Sequence, residues 1–116
     1  MRNLLVELAG ILALAVSVVH GVLSETKVFR RARIEPEWAR RLIRLVWRAS
    51  TVSWMCLAIL LIAAPSMGSE TARDWIIAMS ILTFGAAAIG NAWATRGRHF
   101  GWVAMTMVVG LAASGL

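Results

Sequence analysis

Cysteine is almost absent from this chain of 116 residues, and charged residues are scarce inside its apolar segments. The one cysteine, Cys56, excludes an internal disulfide and cannot build a metal site alone. We expect Cys56 to be a small apolar residue buried in a helix. No nucleotide-binding loop, nucleophile–base pair or thiol motif is present, so the sequence predicts a protein that is not an enzyme and needs no cofactor.

Hydrophobic residues make up 59% of the chain, and its mean hydropathy is +0.74. They form four blocks, each close to the roughly twenty residues that a helix needs to cross about 30 Å of hydrocarbon. A helix also satisfies its own backbone hydrogen bonds in lipid. The sequence therefore predicts one all-α membrane domain over residues 1–116, built as a four-helix transmembrane bundle. Its spans are expected at approximately 3–24, 48–66, 73–95 and 98–116.

The first block also has features of a cleaved signal peptide, because Arg2 precedes an apolar run. Glu7 interrupts that run, and no clean Ala-x-Ala cleavage site follows before the basic segment. We therefore interpret this block as the first span.

A basic segment at 26–47 separates the first two spans. Pro36, with a glutamate on either side, is typical of a helix start. From there Arg40, Arg44 and Arg48 recur every four residues, and apolar residues lie opposite them. This pattern predicts a basic amphipathic helix in the membrane interface, whose arginines contact anionic lipid headgroups. The helix can bend before the second span or continue into it, and we expect no nucleic-acid binding.

Positive charge lies almost entirely on one side of the predicted bundle, which carries ten of the twelve basic residues. The positive-inside rule therefore predicts a protein of the bacterial cytoplasmic (inner) membrane with both termini outside and the basic segment in the cytoplasm. These ten residues are Lys27, Arg30, Arg31, Arg33, Arg40, Arg41, Arg44, Arg48, Arg96 and Arg98.

Small residues at four-residue spacing predict surfaces on which helices pack closely in lipid. The neighbour that fills such a surface can belong to the same chain, to a second copy or to another protein. The stripe in the first span consists of Ala9, Ala13, Ser17 and Gly21; the third span has Ala78, Ala86, Gly90 and Ala94; the fourth has Thr106, Gly110 and Ser114.

Four polar residues, His20, Glu25, Asn91 and His99, are predicted to lie at the cytoplasmic boundary from different helices. Polar residues at such depth often have a function. They form a candidate rim cluster that would handle a metal, a proton or a haem. The alternative is that they only meet water and headgroups at the boundary.

Glu7 is a candidate intramembrane carboxylate, and such a group can couple protons to transport. The small multidrug resistance transporters also combine four spans with a glutamate in the first helix. However, Glu7 is shallower than that carboxylate, and it can equally reach the outer interface.

Two short motifs resemble those of a family of small bacterial membrane proteins with four spans and a similar length. The first is His20-Gly21-x-x-Ser24-Glu25 followed by basic residues, where family members often have glycine in place of Ser24. The second is Arg98-His99-Phe100-Gly101-Trp102. The resemblance implies that His20, Glu25 and His99 matter, without implying an activity.

These observations together predict a non-enzymatic accessory or scaffold subunit of a membrane complex, or a homo-oligomer. Its expected partners are an anionic lipid bilayer and either another membrane protein or a second copy. A solute or ion transporter using Glu7 is one alternative, and a metal- or haem-binding protein using His20 and His99 is the other.

Overall fold

The computed structural model describes all 116 residues and contains four helices and no β-strand. Helix α1 covers Arg2–Arg31, α2 covers Glu37–Ala63, α3 covers Glu70–Thr95 and α4 covers Gly101–Ala113. Helix α1 packs between α2 and α4, and α3 packs mainly on α4. The predicted all-helical bundle is therefore confirmed.

The fourth helix is shorter than the sequence predicts. Three helices, α1, α2 and α3, are long and apolar enough to cross a membrane, whereas α4 has only 13 residues. At 1.5 Å per residue α4 is about 20 Å long, less than the roughly 30 Å of a hydrocarbon core. The helix occupies only the middle of the expected span at 98–116, because the first residues form a turn and the chain leaves the helix after Ala113.

Helix α2 is continuous, so the basic amphipathic segment is not a separate helix. It begins at Glu37 directly after Pro36, as the sequence predicts, and runs without a break to Ala63. Its 27 residues are about 40 Å long. Of the two possibilities for the basic segment, continuation into the second span is the one observed.

Helix α1 contains one wider turn, a π-helical segment over Ser24–Val28. The backbone N–H of Phe29 donates to the carbonyl of Ser24, and the hydroxyl of Ser24 donates to the carbonyl of Gly21. Such turns insert one extra residue and so change which side chains face a neighbouring helix. Beyond this turn Phe29 is buried and Glu25 faces α2.

The ends of α3 follow from local hydrogen bonding. The hydroxyl of Ser69 accepts from the backbone N–H of Ala72 at 3.2 Å, which starts the helix at Glu70. At the other end Arg96 and Gly97 have positive φ, and Gly97 donates to the carbonyl of Ala92, which turns the chain into α4.

The small residues of α1 bring it close to its neighbours within the chain. Ala9, Ala13 and Ser17 are fully buried, and an added Cβ at Gly21 would lie 2.9 Å from the methyl group of Thr51 in α2. The predicted packing stripe of α1 is therefore filled by the chain itself.

Most of the predicted packing stripe of α3, in contrast, is not covered by the chain: Ala86, Gly90 and Ala94 are exposed. Cys56 is also exposed, which contradicts its predicted burial. It lies on the face of α2 that points away from the bundle, where periodicity alone cannot distinguish a core position from a lipid-facing one.

Helix α1 lies in close contact with α2 at Gly10, and we expect Gly10→Ala to destabilise the protein. A methyl group there would lie 2.6 Å from the Ile62 side chain and 2.9 Å from the Ala58 carbonyl oxygen. Separating the helices should cost about 1–3 kcal/mol. Thermal unfolding in detergent measures this loss, and Gly90→Ala is the control because no atom lies within 4 Å of an added Cβ there. Equal stability of the two variants would contradict the close contact.

Candidate functional site at the basic end of the bundle

Glu25 is the centre of an ion-pair network between α1 and α2. Its Oε1 accepts from Arg48 Nε at 2.9 Å and from Arg44 Nε at 3.2 Å, and its Oε2 accepts from Arg44 Nη2. Arg44 thus binds the carboxylate with two donors, the geometry in which arginine pairs best with a carboxylate. The four-residue spacing of Arg44 and Arg48 places both on the side of α2 that faces α1.

This network strongly favours the charged form of Glu25, which lies beyond the apolar part of α1. The hydrogen bond from Arg44, followed by that from Arg48, lowers the pKa of Glu25 to about 2. Glu25 is therefore ionised throughout the physiological range, and it is not available there as a proton donor or acceptor.

A second set of contacts joins the same two segments further along. Arg40 Nη2 donates to the carbonyl oxygen of Phe29, and the Phe29 ring meets the edge of Trp47 at a centroid distance of 5.6 Å. We call the paired segments 24–31 and 37–48 the stalk. Arg40, Arg44 and Arg48 all have protein partners in it, so lipid headgroups can reach only what remains exposed of them.

The ring of His20 lies between two tryptophans of α2. Its centroid is 5.0 Å from that of Trp47 and 4.2 Å from that of Trp54, and both pairs are stacked. His20 Nε2 is 3.2 Å from the hydroxyl of Ser50, and Trp47 Nε1 donates to the His20 carbonyl at 3.3 Å. Because Trp54 also contacts Phe84 of α3, this stack connects three helices.

His99 and Asn91 organise the turn between α3 and α4. His99 Nδ1 accepts from the backbone N–H of Gly101 at 3.0 Å and lies 3.5 Å from Asn91 Nδ2. Asn91 Oδ1 accepts from the backbone N–H of Trp102 at 3.1 Å. The two side chains thereby satisfy backbone donors of the first turn of α4, which would otherwise lack partners.

The predicted rim cluster is therefore divided into two groups. His20 and Glu25 lie between α1 and α2, Asn91 and His99 lie between α3 and α4, and no hydrogen bond or ring contact connects the two groups. The two histidine rings are held by different helix pairs, and each uses one nitrogen within the chain. This arrangement gives the metal or haem hypothesis little geometric support.

At the opposite end of the bundle, Glu7 is half-buried and makes no hydrogen bond or ion pair. Arg73 of α3 is only 3% exposed. Its Nε donates to Asn3 Oδ1 at 3.2 Å, its Nη1 lies 3.6 Å from the carboxylate of Asp74, and neither Nη1 nor Nη2 makes a hydrogen bond. Both charged groups thus keep unused hydrogen-bonding capacity.

The sequence analysis singled out none of Trp47, Trp54 and Arg73 as site residues. The seven-residue spacing of Trp47 and Trp54 puts them on one face of α2, and this was the available signal for the stack on His20. No comparable signal marked Arg73 as buried.

No protein-family model, curated protein or solved structure matches the chain. The resemblance to small four-span bacterial membrane proteins stays an expectation from two short motifs.

Acid should weaken the contact between the two segments of the stalk, because it protonates Glu25. The pKa of Glu25 falls from its ordinary 4.5 to about 2 in the folded chain. The stabilisation that the ion pairs of Glu25 give to the folded stalk is therefore complete above pH 4.5 and is lost as the pH falls towards 2. A spin label at Lys27→Cys in a Cys56→Ala background should be immobile at pH 5 and become mobile near pH 2. Glu25→Gln should be mobile at both values. A label that is equally immobile in Glu25→Gln would show that the ion pairs do not hold the stalk.

Proposed function

We propose that this chain is an integral protein of the bacterial cytoplasmic membrane, with the stalk in the cytoplasm and both termini outside. Three helices of sufficient length and apolarity support insertion, and the ten basic residues at one end support the orientation. On this placement the hydrocarbon begins near His20 and Trp47. The exposed parts of Arg40, Arg44 and Arg48 then lie at the level of the anionic headgroups.

Within that membrane, the chain acts as a non-enzymatic accessory or scaffold subunit. The observation that carries this proposal is that the polar groups at the basic end are engaged in holding helices together. His20 is stacked between tryptophans, Glu25 is held by arginines, and His99 caps α4. Each of these groups therefore has a structural partner within the chain.

The outer surface of α3 supports association with another membrane protein or with a second copy. Ala86, Gly90 and Ala94 are exposed, and nothing lies within 4 Å of an added Cβ at Gly90. Small residues in this pattern allow helix backbones to approach closely in lipid, where packing rather than water exclusion drives association.

The proposed function is tested by determining which protein chains the native complex contains, and in how many copies. After extraction in mild detergent, native mass spectrometry should give a mass well above 12.6 kDa for one chain, with a stoichiometric partner or a fixed number of copies. Gly90→Leu, which fills the open stripe, should weaken the complex more than Ala15→Leu, an exposed small residue of α1 outside every predicted stripe. A clean monomer without a partner would contradict the proposed function.

A transporter or channel that uses Glu7 is the second candidate, and the missing partner of Glu7 favours it. A carboxylate without an ion pair can exchange protons with a passing solute. In vesicles that contain the purified protein, Glu7→Gln should then abolish proton-coupled flux, while Glu70→Gln, an exposed acid at the same end, should not. Equal flux in the native chain and Glu7→Gln removes Glu7 from any mechanism.

A further inference from the structure

Arg73 of α3 has an incompletely filled hydrogen-bonding edge at the end of the bundle opposite the stalk. Its side chain is buried, and its Nε donates to the carboxamide oxygen of Asn3 at 3.2 Å. The adjacent Nη2 makes no hydrogen bond. We call this Nε–Nη2 side of the Arg73 guanidinium group the donor edge. Because arginine stays protonated in proteins, burial leaves the charge of the donor edge in need of a partner.

Arg44 shows what the same edge of an arginine binds when it is filled. Its Nε and Nη2 together hold the two carboxylate oxygens of Glu25, the paired geometry that arginine forms with carboxylates and phosphates. Arg73 instead meets one oxygen of a neutral carboxamide. Asn3 therefore supplies only half of the acceptors that the donor edge can bind, and none of the negative charge.

A second guanidinium group reaches the same place from α1. Arg2 Nε donates to the carbonyl oxygen of Gly115 at 3.2 Å. Arg73 Nη2 lies 3.3 Å from the position that an added Cβ would take at the same glycine. Both guanidinium groups thus border Gly115, where their positive charges repel each other. An anion bound between them would relieve this repulsion.

The carboxylates at this end of the bundle do not fill the donor edge. Glu70 lies 3.8 Å from Arg2 Nη2, and Asp74 lies 3.6 Å from Nη1 of Arg73, the nitrogen outside the donor edge. Their side chains are 80% and 55% exposed, so water and salt screen both charges. Glu7 of α1 makes no ion pair.

Asn3 separates the donor edge from a depression in the protein surface. The depression has a volume of about 420 Å³, room for more than about ten water molecules at roughly 30 Å³ each, so a phosphate group fits into it. Asn3 is exposed there, and it also accepts from the donor edge. A ligand oxygen that replaces its carboxamide oxygen therefore reaches Arg73. The residues that line the depression are Met1, Arg2, Asn3 and Glu70.

We propose that Arg73 and Arg2 form a binding site for a phosphate-type oxyanion. The anion displaces the carboxamide of Asn3, accepts from both nitrogens of the donor edge and uses a further oxygen for Arg2. A phosphate group suits two arginines better than a carboxylate does, because the donor edge alone occupies both oxygens of a carboxylate. The anion is a phospholipid headgroup or free phosphate, which present the same oxygens. This site goes beyond the proposed function and does not depend on the orientation in the membrane.

Equilibrium dialysis against radiolabelled phosphate tests the site in the full chain, freed of lipid in a sugar-based detergent at physiological ionic strength. The native chain should bind one phosphate with saturation. Arg73→Gln should weaken binding about tenfold or more, because it removes two hydrogen bonds from a charged group. Arg98→Gln, which removes an exposed arginine at the basic end, should leave the affinity unchanged.

Two substitutions at Asn3 keep the test valid if Arg73→Gln fails to fold. Asn3→Asp places a carboxylate on the donor edge, so it should abolish phosphate binding and, without phosphate, raise the melting temperature by a few degrees. Asn3→Ala removes the competing oxygen and should leave phosphate binding at least as tight as in the native chain.

Competition identifies the source of the anion. If a short-chain phospholipid displaces the labelled phosphate and a glycolipid with the same acyl chains does not, the site belongs to a lipid headgroup. If neither displaces it, the site belongs to free phosphate. Both results support the oxyanion site.

Three results overturn the proposal. The first is a native chain that binds no phosphate with saturation. The second is phosphate binding that Asn3→Asp leaves unchanged, which would assign the anion to the basic end of the bundle. The third is phosphate binding that appears only in Glu7→Gln, which would show that Glu7 fills the donor edge. None of these measurements depends on the mass of the native complex, so this site and the proposed accessory function fail separately.

Discussion

Close contact between α1 and α2 is the constraint on which the rest of the structure depends. The two backbones approach at Gly10, where even a methyl group would meet Ile62 and the Ala58 carbonyl, and they approach again where Gly21 faces Thr51. At this separation the ring of His20 reaches both tryptophans of α2. Larger residues at the glycines would move the helices apart, because packed interiors have little spare volume.

The same contact continues beyond the apolar part of the bundle, but there it depends on charge. The π-helical segment over Ser24–Val28 adds a residue to α1, and Glu25 then meets Arg44 and Arg48 while Phe29 packs on Trp47. The arginines on which the predicted topology rests therefore also tie the stalk together. The opposite, apolar face of α2 stays exposed.

Periodicity and composition were sufficient for the helices themselves but not for their environment. The start of α2 after Pro36 and the chain reversal at Arg96–Arg98 were predictable because proline, glycine and charge act locally. The small residues of α1 and α3 have the same spacing, yet Ala13 is buried and Gly90 is exposed. Spacing identifies a helix face; it does not identify what lies against that face. The exposure of Cys56 has the same origin.

Residues close together in the chain specify an all-helical fold with long apolar segments, and the order of charged residues places nearly all positive charge at one end. The packing of the helices, in contrast, pairs Glu25 with arginines 19 and 23 residues away, stacks His20 on α2 and leaves His99 to cap α4 instead of meeting His20. Helix depth alone brings such residues to one level, but rotation and lateral order of the helices decide which of them touch.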